Sequence, residues 1–290
     1  MRVLVTGAGG YLGRELVRRL ASGGHDVVTC SLRDHAWEPA LQGVEVVAHL
    51  AGVKERTADP ASLNAMIEAN LSLTQRLLDA AQAAGIARVV FASSYRVYGR
   101  QAAHELPCTE ESEVRPIDAY GMSKWLAEEL VRCSGLSHVI LRLPNIFGLG
   151  ESGLVSRDVV WAMIHSAFHD GVIRVQGHGE HTLDLMPLAD AGALIQCTIE
   201  RLTIERLTLN MGSGVARTVQ ALAHMIADIF QALYGSEIAI RHVPEDSSAC
   251  SRAVAVERMR QWLGSVPQQR LADALRMDVT AHERAMAAVR

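Results

Sequence analysis

The sequence predicts an α/β fold, a doubly wound parallel sheet carrying a smaller, mostly helical lobe toward the C-terminus. Two patterns predict it. Short apolar runs rich in valine alternate with helical-period stretches through the first half of the chain, which is how βαβ units read. The first run passes into a glycine-rich turn and then a helical stretch, the strand, turn and helix of a nucleotide-binding unit. With 290 residues, 49% hydrophobic and 21% charged, the chain can bury a large core, and a disordered or collagen-like chain is excluded.

The elements follow in order. Val3-Leu4-Val5 makes residues 2–6 the first strand, and residues 13–21 the first helix. Val27-Val28 marks a strand at 26–30, and Val46-Val47 one at 44–50. A long helix at 63–84 ends at Gly85, where a left-handed residue suits a helix C-terminus. Val89-Val90 gives a strand at 88–93, then a helix at 119–133 ends before Gly135, and Val139-Ile140-Leu141 gives a strand at 137–143. A later strand at 207–211 returns to the same sheet. Helices at 158–168, 190–201, 218–234 and 268–289 supply a second lobe and crossovers. Residues 1–148 thus read as a Rossmann-type cofactor domain to which the chain returns at 184–214, with 149–183 and 215–290 as a substrate-binding lobe.

Charge and cysteine usage bound the partners. Lys+Arg 28 against Asp+Glu 32 gives −4, so no overall positive field draws the protein to nucleic acid or an anionic membrane. Cys30, Cys108, Cys133, Cys197 and Cys250 are odd in number and never spaced Cys-x-x-Cys, which reads as reduced thiols in a cytoplasm. Every long apolar run is broken by a charged residue or histidine, so no membrane span is expected. Glycines follow Val3-Leu4-Val5 too soon for a secretory leader, and a cytoplasmic protein is expected.

Three groups of residues carry chemistry. In Thr6-Gly7-Ala8-Gly9-Gly10-Tyr11-Leu12-Gly13, Gly7 permits the tight turn, Gly10 admits a pyrophosphate and Gly13 lets helix and strand pack closely. In Tyr120-Gly121-Met122-Ser123-Lys124, positions four apart share a helix face, so an ammonium beside the phenol would lower its pKa toward neutrality and make it an acid or base. Alone, that spacing fits a partly buried tyrosine beside a snorkelling lysine equally well. In Val89-Val90-Phe91-Ala92-Ser93-Ser94-Tyr95-Arg96-Val97-Tyr98-Gly99, hydroxyls end a strand at the carboxyl edge, where open parallel sheets bind ligands.

Together these residues resemble the extended short-chain dehydrogenase/reductase family, the nucleotide-sugar epimerases, dehydratases and ketoreductases. The resemblance continues in His49-Leu50-Ala51-Gly52-Val53-Lys54, in Asn70 with Thr74, in Leu141-Arg142-Leu143-Pro144-Asn145-Ile146-Phe147-Gly148 and in Leu209-Asn210-Met211-Gly212-Ser213-Gly214, and weakens after Tyr234. It implies that Tyr120 gives or takes the proton, that Lys124 binds the nicotinamide ribose and tunes Tyr120, and that Ser94, with Tyr95 beside it, holds the substrate oxygen. Cofactor contacts would come from Gly7, Gly9, Gly10, Tyr11, Leu12 and Gly13, from Ser31 and Arg33, from Leu50, Ala51, Gly52 and Lys54, and from Leu143. Asn70 would brace the active-site helix or make a helix-interior hydrogen bond. Asn145 would touch substrate or hold its own turn. Helices 63–84 and 119–133, apolar on more than one face, would pair between two subunits of a homodimer.

Departures from the family pattern refine the expectation. Where an acidic residue usually binds the adenosine ribose of NAD stands Ser31, followed by Arg33, which favours NADP over NAD. From Ser31 to His49 there are 49 − 31 = 18 positions, too few for the usual helix, strand and helix. If the missing piece precedes Ser31, Arg33 loses that meaning. Leu183 replaces an arginine that grips the substrate diphosphate, and Val243-Pro244-Glu245-Asp246 lacks the second, leaving Arg241 or Arg252 to substitute. Tyr95-Arg96 replaces the Asp-Glu of the dehydratases, so 4,6-dehydration is not expected. The resulting expectation is an NAD(P)-dependent keto reduction of a sugar-like, nucleotide-activated substrate. A cofactor-retaining epimerase is the alternative, and a non-catalytic NAD(P) sensor is the reading from another class. His165, His169, His178 and His181 are expected to be solvated or packing residues, with no metal, and Arg14, Arg18 and Arg19 a solvated helix face.

Overall fold

The computed structural model describes residues 1–34, 36–54, 59–150, 158–201, 206–244, 250–264 and 269–287. The chain runs through β1 (Arg2–Thr6), α1 (Tyr11–Ser22), β2 (Asp26–Cys30), β3 (Val46–His49), α2 (Pro60–Ile67), α3 (Leu73–Ala83), β4 (Arg88–Ser94), α4 (Ala119–Cys133) and β5 (Ser137–Leu143). Then follow β6 (Asn145–Phe147), α5 (Val159–Asp170), β7 (Val172–Gln176), β8 (Thr182–Leu183), β9 (Leu185–Pro187), α6 (Leu188–Glu200) and β10 (Arg206–Asn210). The last elements are β11 (Arg217–Thr218), α7 (Val219–Tyr234), β12 (Ala239–Val243), α8 (Glu257–Leu263) and α9 (Leu271–Ala287). Of the helix expected at 268–289, positions 268, 288 and 289 lie outside the described residues.

Six strands form one parallel sheet in the order β10-β5-β4-β3-β1-β2. Its central strands are covered on both faces, as their unbroken apolar runs require. Val3 and Val5 join a core with Leu16 and Leu20 of α1, while Leu4 between them joins another with Leu77 and Leu78 of α3 and Val131 of α4. A third core lies in the second lobe, where Ile164 of α5, Ile173 of β7, Ile226 of α7 and Leu275 of α9 meet.

Only a short helical turn, Glu38–Leu41, separates β2 from β3, and β2 is the sheet edge. Ser31 and Arg33 directly follow this edge strand.

Three local differences have physical reasons. The helix expected at 63–84 begins at Pro60, because Asp59 accepts the Ala61 and Ser62 N–H groups and proline suits the first helical position. A π turn at Glu68–Ser72 then interrupts it. Part of the chain assigned to the second lobe returns to the sheet, since Val254, Val256 and Met259 belong to the core under β1 and β5. The two- and three-residue strands carry too short a pattern to be read from sequence. Among the described residues no helix is long and apolar enough to cross a membrane, and all five cysteines are free thiols.

Candidate active site

The carboxyl ends of β1, β3, β4 and β5 open onto a cleft of about 230 Å³. At its floor the glycine turn brings β1 and α1 into contact. Gly7 has φ +71°, the Gly10 N–H donates to its carbonyl at 2.9 Å, and a Cβ on Gly13 would stand 2.1 Å from that same oxygen. Only glycine fits there. No side chain caps α1 and its first turn holds no acid, so its positive end is open to an anion. Tyr11 lines the cleft and donates to the Gly148 carbonyl at 2.6 Å, while the next N–H, that of Leu149, is accepted by Asp278 of α9. The second lobe is thereby tied to the floor of the cleft.

The end of β3 is fixed by a buried chain of hydrogen bonds. Thr74 donates to the Asn70 carbonyl at 2.9 Å, so its oxygen accepts from His49 Nε2 at 2.8 Å, and His49 Nδ1 accepts from Thr6 at 2.7 Å. Burial pushes the imidazole down to about 3, Lys124 adding to the effect, and it stays neutral. The π turn puts Asn70 at the next loop, where its Oδ1 accepts the Val53 N–H at 2.8 Å. Its Nδ2 donates to the Val53 carbonyl at 2.9 Å and to Ser123 of α4 at 3.0 Å. A single amide so fastens the Gly52–Lys54 loop to the helix that carries Tyr120. π turns recur at such places because the extra residue re-aims one side chain.

Asp118 caps α4 by accepting the Gly121 N–H at 2.8 Å, which starts the helix beside the cleft and points Tyr120 and Lys124 into it one turn apart. Lys124 is buried and donates to the Ala92 carbonyl at 2.8 Å. Burial lowers its pKa to about 8, against the pull of Glu128. Tyr120 moves the other way. Burial raises it to about 12, outweighing Arg96 and a hydrogen bond with Ser94. The phenol is thus not lowered toward neutrality as expected. Lys124 is engaged with Ala92, and the cations over the phenol ring are Lys54 at 5.7 Å and Arg96 at 6.0 Å from its centroid. At neutral pH the hydroxyl keeps its proton and can donate it.

After β4 a tight turn at Tyr95–Tyr98 sorts side chains. Ser94 caps it, accepting the Arg96 N–H at 3.2 Å, and Ser94 and Arg96 face the cleft. Tyr95, expected at the substrate, is only 2% exposed and packs in the core, because the turn faces Tyr95, Val97 and Tyr98 inward. Arg96 takes its place, held to Asp118 Oδ2 through Nε at 3.2 Å and Nη2 at 2.6 Å. Leu12, Leu50, Gly52, Lys54, Leu143 and Asn145 line the same cleft. Ala51 packs behind it, and Ser31 and Arg33 lie exposed past β2. Leu183 is buried in the core of the second lobe, and Glu245 and Asp246 lie outside the described residues.

Beneath the cleft, Glu128 is fully buried and accepts from Ser93 at 2.5 Å, from Arg142 Nε and Nη2 at 3.0 and 2.7 Å, and from Arg132 at 2.8 Å. Against the cost of burial, these partners hold its carboxyl below the usual range. Sequence reading missed this pair and the Arg96–Asp118 pair. The available signal was Arg142, a charge inside the apolar run Val139-Ile140-Leu141-Arg142-Leu143, which needs a buried partner. The decoy residues pack. His165 stacks on Trp161 with centroids 4.5 Å apart and meets His169 and His282, while Arg18 and Arg19 both pair with Glu15.

The cleft's residues suit a nicotinamide dinucleotide: an uncapped helix end and Lys54 for its phosphates, and Lys124 and Tyr120 deeper in. Comparison with known proteins agrees with that fit. The NAD dependent epimerase/dehydratase family matches residues 3–212. A UDP-glucose 4-epimerase of Azospirillum brasilense is 35% identical over 182 residues, covering 52% of this chain and 51% of that one, so this match spans about half that relative's length. A UDP-glucose 4-epimerase of Rhizobium meliloti (strain 1021) is 28% identical over 317 aligned positions, covering 93% of each. Among solved structures, MoeE5 in complex with UDP-glucose and NAD has a TM-score of 0.87 at 24% identity, over 99% of this chain and 100% of that one, which speaks for the fold. The chain belongs to the NAD dependent epimerase/dehydratase family.

Proposed function

We propose that the protein is a cofactor-retaining epimerase that inverts a hydroxyl-bearing carbon of a nucleotide sugar. The observation that carries the reading is the convergence of Tyr120, Ser94 and Lys124 on one cleft with Tyr11 and Leu12, the residues that follow the glycine turn. The relatives' printed names support inversion over the net keto reduction expected from the sequence. Neither Tyr95 nor Arg96 can replace the acid and base of a dehydratase. When bound, the nicotinamide supplies a carbon that reversibly holds a hydride. The chain supplies the rest: Ser94 orients the sugar oxygen, Tyr120 holds its proton, and Lys124 and Asn70 fix the helix and loop around them. The test is formation of the epimer of UDP-glucose without added coenzyme.

The cofactor on this reading is NAD(P), and Arg33 is the residue that would favour the 2′-phosphate of NADP. Arg33→Ala should then weaken NADPH by about 1.5–3 kcal/mol and leave NADH almost unchanged. Equal loss for both in a fluorescence titration would remove Arg33 from the site.

The reading also includes a homodimer in a reducing compartment such as the cytoplasm. Ile67 of α2 and Met122 and Leu126 of α4 are 51%, 40% and 40% exposed, an apolar surface on neighbouring helices that a second copy would cover. Light scattering should report twice the 31.5 kDa chain mass, and a monomer at micromolar concentration would contradict this part of the reading.

A further inference from the structure

Among the described residues, three cations line the cleft: Lys54, Lys124 and Arg96. The first two stand with the glycine turn and the Asn70 loop, on the side assigned to the dinucleotide. A Cβ on Gly52 would lie 3.3 Å from Lys124 Nζ, and Lys54 is two residues further along that loop. Arg96 has no such assignment. It sits two residues after Ser94, on the turn whose cap presents the hydroxyl, and its guanidinium carbon is 6.0 Å from the centroid of the Tyr120 ring. Arg96 lines the cleft together with Ser94 and Tyr120.

Asp118 pairs with Arg96 through Oδ2 and accepts the Gly121 N–H on Oδ1. A second guanidinium, that of Arg252, stands 6.0 Å from the Tyr95 ring with its Nε buried and without a hydrogen-bond partner among the described residues. Both guanidiniums act on the Asp118 carboxylate, and the buried Asp184 carboxyl acts on Tyr95 beside Arg252. Asp118 fixes the plane of Arg96 through Nε and Nη2 and leaves Nη1 without a partner among the described residues. An oriented guanidinium with a spare donor edge is suited to a planar anion.

We propose that the substrate carries a carboxylate on the carbon adjacent to the part of the sugar that meets Tyr120, and that Arg96, positioned by Asp118, binds it. The substrate class is a nucleotide-linked sugar acid, and the proposal rests on the epimerase reading above. It also gives a positive role to the residue that displaces the dehydratase carboxylate.

The test is calorimetric titration of the purified protein with UDP-glucuronic acid, UDP-glucose and UDP, repeated for Arg96→Gln and Arg96→Lys. Wild type should bind UDP-glucuronic acid about tenfold or more tighter than UDP-glucose. Arg96→Gln should remove that preference while leaving UDP-glucose and UDP within about twofold, since the lost contact is to the carboxylate alone. Arg96→Lys keeps a cation beside Asp118 and should retain part of the preference. Equal affinity of wild type for the two sugars would overturn the inference and leave the epimerase reading standing. So would an equal loss for all three ligands in Arg96→Gln, which would place the guanidinium on the diphosphate. No binding of any of the three would remove the nucleotide-sugar reading and the inference with it.

Discussion

Tyr120→Phe should lower turnover by about 10²–10⁴-fold, the usual worth of a positioned general acid or base, while leaving NAD(P)H binding nearly intact. The hydroxyl is needed where the sugar oxygen changes its proton and contributes little to holding a dinucleotide. The raised phenol pKa sets the direction of the pH effect. With the proton held up to about pH 12 by burial, donation requires no prior titration across neutral pH, and the removal step is the one that alkaline conditions should favour. Lys124→Ala should differ in kind, since that ammonium lies between the Gly52 loop and the Ala92 carbonyl and its loss should lower coenzyme affinity and turnover together. Steady-state kinetics with fluorescence titration of NADH separates these outcomes, and full activity of Tyr120→Phe would remove the tyrosine from the chemistry.

Glu128→Ala should be the most damaging change for stability among the residues beneath the cleft, at about 3–5 kcal/mol, because it leaves Arg142 charged and only 3% exposed with no carboxylate. Removing the other arginine of the cluster should matter far less. Arg132 is 31% exposed, and without it Glu128 keeps Arg142 and Ser93, so Arg132→Ala should cost about 1 kcal/mol or less. Denaturant melts of the two variants side by side check the contrast, and similar losses would show that burial does not govern this cluster. The effect should reach the site as well. Arg142 Nη1 donates to the Tyr98 hydroxyl at 2.9 Å, and that hydroxyl donates to Asn210 at 2.7 Å, so the pair locks the turn that presents Ser94 and Arg96.

The sheet was legible because its strands are unbroken valine-rich runs, a pattern that survives without tertiary information. Gly85 and Gly135, read as left-handed helix ends, have φ +70° and +75°. The glycine turn was equally legible, since Gly13 is dictated by a clash that any side chain would make. Side-chain direction on irregular backbone was not. Tyr95 and Arg96 are adjacent, and only the turn after β4 decides which of them faces the cleft. The lowered phenol pKa was inferred from helix spacing, which places Lys124 near Tyr120 but carries no information about Ala92, the carbonyl that holds the ammonium.

The central claim is inversion with the carbon-bound hydrogen conserved. Incubating the protein with UDP-glucose and with UDP-glucuronic acid in deuterated water, then reading the products by nuclear magnetic resonance, tests it most directly. The account predicts an epimer with ordinary hydrogen at the inverted carbon, formed over many turnovers with no net change in NAD(P)H absorbance. Deuterium at that carbon would show proton chemistry in place of hydride return, and stoichiometric loss of NADPH would make the protein a reductase; either result would contradict the account.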